Sequence, residues 1–298
     1  MESRALRIRL ALAVALGVPT ALSAGVFEID QRCVAVGCFP GDLAGFPVTI
    51  SSPGEYRLTS NLDTRFSPTP ADLTAIQVTA GGGVDIDLNG FEVRGPVSCV
   101  AGTSTCSPVG FGGGISGNTG TSVRDGTVRG FAQNGVSTGG SSRIERVRAW
   151  DNGHHGIYAG GEGAVVVESI AFRNGDEGIH TYRYASIRGV TVARNGDRGI
   201  HAEQSSRVEE AIAWSNGGHG IATDVVMSVY FSVSNQNVGS GFGGYPLVCV
   251  ADANIGYGLR SGLDTELAIQ DVFWSNVAGA IEPGAFSLGQ NNCNGSAC

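Results

Sequence analysis

The residues of this chain that can do chemistry fall into columns. Its five histidines are His154, His155, His180, His201 and His219. Each sits two, three or six residues after the asparagine of one of four NGxxGI segments. His154, Asp176 and Asp197 take the second position, with Gly218. His155, Glu177, Arg198 and His219 take the third. Tyr158, His180 and His201 take the sixth, and Tyr182, Glu203 and Asp224 the eighth. Imidazoles beside carboxylates and phenols are the parts of general acid–base catalysis. Carboxylates stacked one repeat apart also raise each other's pKa. An acidic protein shows a similar face to water, so a solvated polar surface is the competing expectation.

Such columns need a repeat to build them. The segments read NGHHGI, NGDEGI, NGDRGI and NGGHGI, on Asn152, Asn174, Asn195 and Asn216, with steps of 22, 21 and 21 residues. Upstream of each lies a short, β-branched, partly alternating run: RIERVRAW, VVVESIAF, SIRGVTVA and RVEEAIAW. None has a helical period, so the unit is two or three short strands with turns. The Asn-Gly pair is expected to supply the positive-φ residues of the turn. A coil of parallel strands fits, each coil stacking on the last at the ~4.8 Å strand spacing. The L-x-x-L-x-L pattern of leucine-rich repeats is absent. Glycine or alanine anchors continue from Gly114 to Ala280, with one short step of 17 residues from Asn237 to Asn254. About ten coils are expected, in a rod roughly 50 Å long. The asparagines are expected to be structural, satisfying turn backbone coil after coil.

Counting from each asparagine, positions −5, −3 and +5 are mostly Ile, Val and Ala and should face inward. Position −2 then faces outward. It holds Trp150, Phe172, Ala193, Trp214 and Trp274, which includes every tryptophan of the chain. Three readings stand open. The column is a stacking platform for sugars, or a surface covered by a loop or partner, or, with the alternation one residue off, core filling.

Along the chain, residues 1–24 read as a secretory signal: Arg4, Arg7 and Arg9, an apolar run from Leu10 to Val18, then Ala21-Leu22-Ser23-Ala24. The apolar run is too short to span a membrane. Its removal takes away three arginines and Glu2, so the net charge moves from −8 to −10. That balance argues against nucleic acid or anionic lipid as partner. Residues 25–60 are expected to cap the rod and 61–283 to form it. Residues 96–113 should be a side-loop insertion and 284–298 a polar terminal cap. The cysteines fall into close pairs, Cys33 with Cys38, Cys99 with Cys106 and Cys293 with Cys298, leaving Cys249 as a buried thiol. Local disulfides at rod ends suit an exported solenoid. Pairs at opposite ends cannot converge on a metal, and neither metal nor cofactor is expected.

PGEYRLTSNLD, TAIQV, VDIDLNGFEVRGP, SVRDGTVRGF and the NGxxGI repeats together resemble the right-handed parallel β-helices of the pectin-lyase-like superfamily. They are most similar to a secreted bacterial group known only for its β-helix repeats. The resemblance implies an all-β, right-handed parallel β-helix from about residue 50 onward. It implies little about activity, because the superfamily holds lyases, hydrolases, epimerases, adhesins and binding modules. Against the polygalacturonase motifs, Gly218-His219-Gly220 matches G-H-G, but the paired aspartates become Asp197-Arg198 and the N-x-D position becomes Asp176-Glu177. All 19 Lys and Arg residues are arginine, so chemistry that needs a lysine is ruled out. The Asp-Pro-His motif of alginate epimerases and the GGxGxD calcium repeats are missing as well.

Binding or display at a polysaccharide-rich surface is therefore expected ahead of catalysis. A carbohydrate-active enzyme working from the polar columns is the alternative, and a structural or adhesive rod a further one. The expected glycan contacts are Tyr158, Asp176, His180, Tyr182, Asp197, His201, Glu203 and His219. Trp150, Phe172, Trp214 and Trp274 form the second candidate surface.

Overall fold

The computed structural model describes residues 25–223, 228–243, 245–247, 249–260, 267–268, 271–282, 286–287, 291–293 and 296–297. The expected signal at 1–24, Asp224 and Cys298 lie outside them.

Apolar side chains three residues before and five after each asparagine must leave water together, and the chain coils around them. In the coils at Ile115 and Val136 the last two strands run together as Thr121–Arg129 and Arg143–Trp150, while coils such as Ile179–Thr181, Ser186–Arg188 and Thr191–Ala193 carry three short strands. All three pair in parallel with the next coil, matching Ile179 with Ile200, Ile187 with Val208 and Val192 with Ala213. The first strands stack into an eleven-stranded sheet, and the other two share a bent sheet of twenty, counted among the described residues. Ile157, Ile179, Ile200 and Ile221 stand in register, fully buried, as expected. Each contributes on the order of 1.5–3 kcal/mol by leaving water. Ala149, Ala171, Val192 and Ala213 form the parallel inward column at position −3.

The coil count needs correcting. A period of 21 or 22 residues holds over seven consecutive turns, at Ile115, Val136, Ile157, Ile179, Ile200, Ile221 and Phe242, against about ten expected. The rungs outside this run have irregular spacing: Val48 and Ile76 before it, Leu259 and Ile281 after it. Turn length varies there, while strand pairing does not. The stack also begins upstream of residue 61. Val48–Ile50 opens the eleven-stranded sheet, and Gly54–Leu58 pairs with Phe27–Ile29, because VTI and EYRL already alternate inward and outward.

The expected asparagine ladder is present and longer than the four segments. Asn152, Asn174, Asn195, Asn216, Asn237, Asn254 and Asn276 link Nδ2 to Oδ1 at 2.8–3.0 Å. The left-handed residue, however, is the one before each asparagine. Asp151, Arg173, Arg194, Ser215, Gln236, Ala253 and Ser275 have φ of 48–56°. The ladder forces this, since each asparagine must turn its amide inward. Its glycine neighbour is kept by space instead. A Cβ on Gly196 would stand 2.2 Å from the carbonyl oxygen of Gly175 and 2.6 Å from that of Thr103.

Thr103 belongs to the insertion, which does not stand off the rod as expected. Ser98–Cys99 and Cys106–Ser107 pair as an antiparallel hairpin closed by the Cys99–Cys106 disulfide. The hairpin lies along the glycine side of the turns. The Cys99 sulfur is 3.3 Å from the Asn152 carbonyl, and Gly102 N–H donates to the Arg194 carbonyl at 2.7 Å. Glycines leave a groove shallow enough there for backbone to approach backbone. Cys33 and Cys38 form the second expected disulfide, packed against the core end beside Phe39. Cys293 is disulfide-bonded too, although Cys298 is outside the described residues. Cys249 is buried as a thiol donating to the Val229 carbonyl at 3.4 Å. Among the described residues no helix is long and apolar enough to cross a membrane.

Candidate functional site

Two outer faces carry the candidate residues. The polar face is built by the turn after each asparagine and the strand that follows it. Ile179 and Thr181 point into the core, so His180 between them points out. Tyr158, His180 and His201 are register partners on successive rungs. Outward does not mean open here, because His180 and His201 keep only 16% and 11% of their side-chain surface.

Neighbouring side chains cover them, centred on Glu177. Its Oε2 is 2.6 Å from His180 Nδ1 and 3.6 Å from His155 Nδ1. Its Oε1 is 2.9 Å from His201 Nδ1 and 3.2 Å from Arg198 Nη1. Asp176 lies alongside, 3.1 Å from His154 Nε2 and 3.7 Å from His155 Nδ1. Tyr158 stacks on His155 at 5.5 Å with 13° between the rings, and His180 meets His201 at 4.5 Å. His180 Nε2 is also 3.8 Å from Glu203.

Electrostatics follow from this crowding. Burial alone would raise the Glu177 pKa, but the imidazoles of His180 and His201, 2.6 and 2.9 Å from its oxygens, outweigh it and hold the carboxyl well below the usual range. Burial pushes the His155 pKa down to about 3, helped by His154 and opposed by Glu177. The Asp176 pKa is raised, first by burial and then by the charges of Glu177 and Asp197.

Of the eight expected contacts, Tyr158, Asp176, His180, His201 and Glu203 come together. Tyr182 and Asp197 remain exposed at the margin. His219 turns to the following coil, where its Nδ1 accepts the Ser240 N–H at 2.7 Å. The centre of the cluster, His155 with Glu177, was not among the expected contacts, nor was Arg198. All three sit in the +3 column. Their signal was that column's charge, since no solvated face needs a carboxylate between two imidazoles.

The second face runs along the opposite run of strands. Trp150, Phe172, Ala193 and Trp214 are register partners; the three rings lie outside the core and only the small Ala193 is buried, so for the aromatics the core-filling reading is wrong. Trp274 continues the column beside Asp252 and is exposed. Arginines interleave with the rings. The Arg129 guanidinium lies 4.7 Å from the Trp150 centroid, Arg173 lies 5.4 Å from Phe172, and Arg194 lies 4.9 Å from Trp214. Arg129 and Arg173 are salt-bridged to Glu92 at 3.0 Å and Asp151 at 2.6 Å. Among the described residues Arg148 and Arg194 form no salt bridge. A cleft of about 430 Å³ opens here, lined by Glu92, Thr127, Arg148, Trp150, Ile170 and Phe172.

Parallel rungs of this period, an internal asparagine ladder and a continuous aliphatic core define a parallel β-helix. The family model for a right handed beta helix region matches residues 134–245. No curated protein matches the chain. Among solved structures, a crystal structure of the pectate lyase Pel9A is 17% identical over 83% of this chain and 74% of its own, with a TM-score of 0.57. The A-module of the Azotobacter vinelandii mannuronan C-5 epimerase AlgE4 is 16% identical over 89% and 88%, with a TM-score of 0.48. At 17% identity the likeness to the lyase is one of fold.

Proposed function

We propose that this protein is exported and binds an acidic polysaccharide along the arginine–aromatic face. The observation that carries the reading is the cleft at Trp150 and Phe172, with the Arg148 guanidinium at its wall and Arg194 further along the same face. Sugar recognition needs an apolar platform joined to polar groups that fix orientation. Aromatic edges and the exposed side chains of Ile170 and Ile212 supply the platform. Two guanidiniums without carboxylate partners supply bidentate donors for carboxylates or sulfates. Trp150 and Trp214 stand three coils apart, about 14 Å at the strand spacing, so one chain of sugars would cross several rungs. Export is supported by the two local disulfides, which need an oxidising compartment.

The test is an array of acidic and neutral polysaccharides, followed by variants. Arg148→Gln with Arg194→Gln should weaken acidic-glycan binding at least about tenfold and leave the melting temperature nearly unchanged. Binding that ignores both arginines and Trp150→Ala ends the proposal. A second reading is a carbohydrate-active enzyme on the polar face, favoured by Tyr158 and His155 stacked beside the buried Glu177. Reducing-sugar release, or ultraviolet absorbance of unsaturated uronates, from any array-positive polymer decides for it.

A further inference from the structure

The polar face contains three ligating side chains that hydrogen bonding does not account for. His155 and Glu177 occupy the same turn position on adjacent coils, and His180 follows Glu177 by three residues. One ligating atom of each lies within 4.8 Å of the other two. His155 and Glu177 retain 8% and 6% of their side-chain surface. Yet His155 Nδ1, Glu177 Oε2 and His180 Nδ1 are buried without a hydrogen-bond partner. The 2.6 Å approach of Glu177 Oε2 to His180 Nδ1 brings the atoms close at angles that do not make a hydrogen bond. A polar atom this deeply buried without a partner is costly to the fold. Three that converge on one point call for a shared partner.

We propose that His155, Glu177 and His180 bind one divalent transition-metal ion of the zinc class. Two imidazoles and one carboxylate are the donor set such an ion takes when it keeps a fourth position for another ligand. Calcium is excluded by the donors, since it needs six or more oxygens. Ligands of a tetrahedral zinc ion stand about 3.3 Å apart. The observed 2.6 and 3.6 Å from Glu177 Oε2 bracket that value, so small rotations complete the geometry. The surroundings fix the ligands in the way metal sites require. His201 and Arg198 hold the far oxygen of Glu177, which turns Oε2 to the histidines. Tyr158 stacks against the His155 ring. The fourth position falls to Asp176, 3.7 Å from His155 Nδ1, or to water. A neighbouring trio, His154, His155 and Asp176, also converges. It is the poorer site, because the His154 side chain is 46% exposed and its Nδ1 meets Asn134 Oδ1 at 3.0 Å.

Metal titration tests this independently of any polysaccharide. The purified chain is stripped with a chelator, dialysed and titrated with zinc chloride by calorimetry, and the cobalt(II) form is examined for the visible absorption of a tetrahedral centre. One equivalent of zinc per chain is expected, with an intense cobalt band. Glu177→Gln and His180→Ala should each weaken zinc binding at least about tenfold, while His154→Ala keeps it. Far-UV circular dichroism of each metal-free variant separates lost ligation from lost fold. Wild-type chain that binds no stoichiometric zinc overturns the proposal outright, whatever the variants do. Folded Glu177→Gln that still binds one equivalent overturns it as well. Loss in His154→Ala with retention in His180→Ala moves the ion to the neighbouring trio and refutes the assignment.

Discussion

Substituting one asparagine of the ladder gives the sharpest test of how the rod holds together. Asn195 is fully buried. Its Oδ1 accepts from Asn174 N–H at 3.0 Å and from Asn174 Nδ2 at 2.9 Å. Its Nδ2 donates to Asn216 Oδ1 at 3.0 Å and to the Ala171 carbonyl at 3.2 Å. Asn195→Ala strands two buried donors on Asn174, at about 1–3 kcal/mol each, so about 2–6 kcal/mol is lost. That is a large share of the roughly 5–15 kcal/mol that keeps a domain folded. Urea unfolding followed by tryptophan fluorescence should show an earlier midpoint. Hydrogen exchange should quicken first at the Asn174 amide, because a solenoid opens locally. Asn195→Asp separates acceptor from donor. It keeps the oxygen that Asn174 needs but sets a second oxygen against Asn216 Oδ1 and the Ala171 carbonyl, so it should destabilise at least as much as alanine. A loss below about 1 kcal/mol in both variants, with Asn174 exchange unchanged, refutes the ladder as a stabilising element.

Ile200→Asp buries an unpaired charge between Ile179 and Ile221 and should cost several kcal/mol, read as a lower melting temperature; wild-type melting would mean that the register is wrong. Replacing Cys99 and Cys106 with serine frees a loop of seven-residue separation, worth about 2.5 kcal/mol of chain entropy to the hairpin. The stacked rungs should survive, while the Gly102 amide, bonded to the Arg194 carbonyl, exchanges faster; unchanged exchange there would show that the hairpin is held without its bridge.

Most of the fold was legible because one signal recurs. Isoleucine five residues after each asparagine, and small or β-branched residues three before it, leave a single way to hide apolar surface. The outward tryptophans follow from the same alternation. What escaped was set by contacts between distant segments. Positive φ was expected at Asn-Gly and falls one residue earlier, because the amide must turn inward to meet the next coil. The 96–113 insertion looked like a free loop, since nothing in its composition says that the glycines of later coils form a groove for it. The polar columns were legible as an outward face. Their burial was not, because Glu177 is covered by histidines from the coils on either side, a relation between repeats and not within one.

That hairpin has a consequence for the order of assembly. A rod of this kind needs only contacts about 21 residues apart, so each coil can settle on the one made just before it. The Gly102 amide instead waits for the Arg194 carbonyl, 92 residues later in the chain. During synthesis or translocation the clasp is made early and grips the first coils at Gly130 and Asn152, but it is not fully seated until the fourth coil beyond it has emerged. Its docking is therefore a check on the four coils that follow it. A chain that stalls before that coil carries a half-seated clasp open to a protease, whereas one that has passed it hides the clasp and the glycines beneath it together.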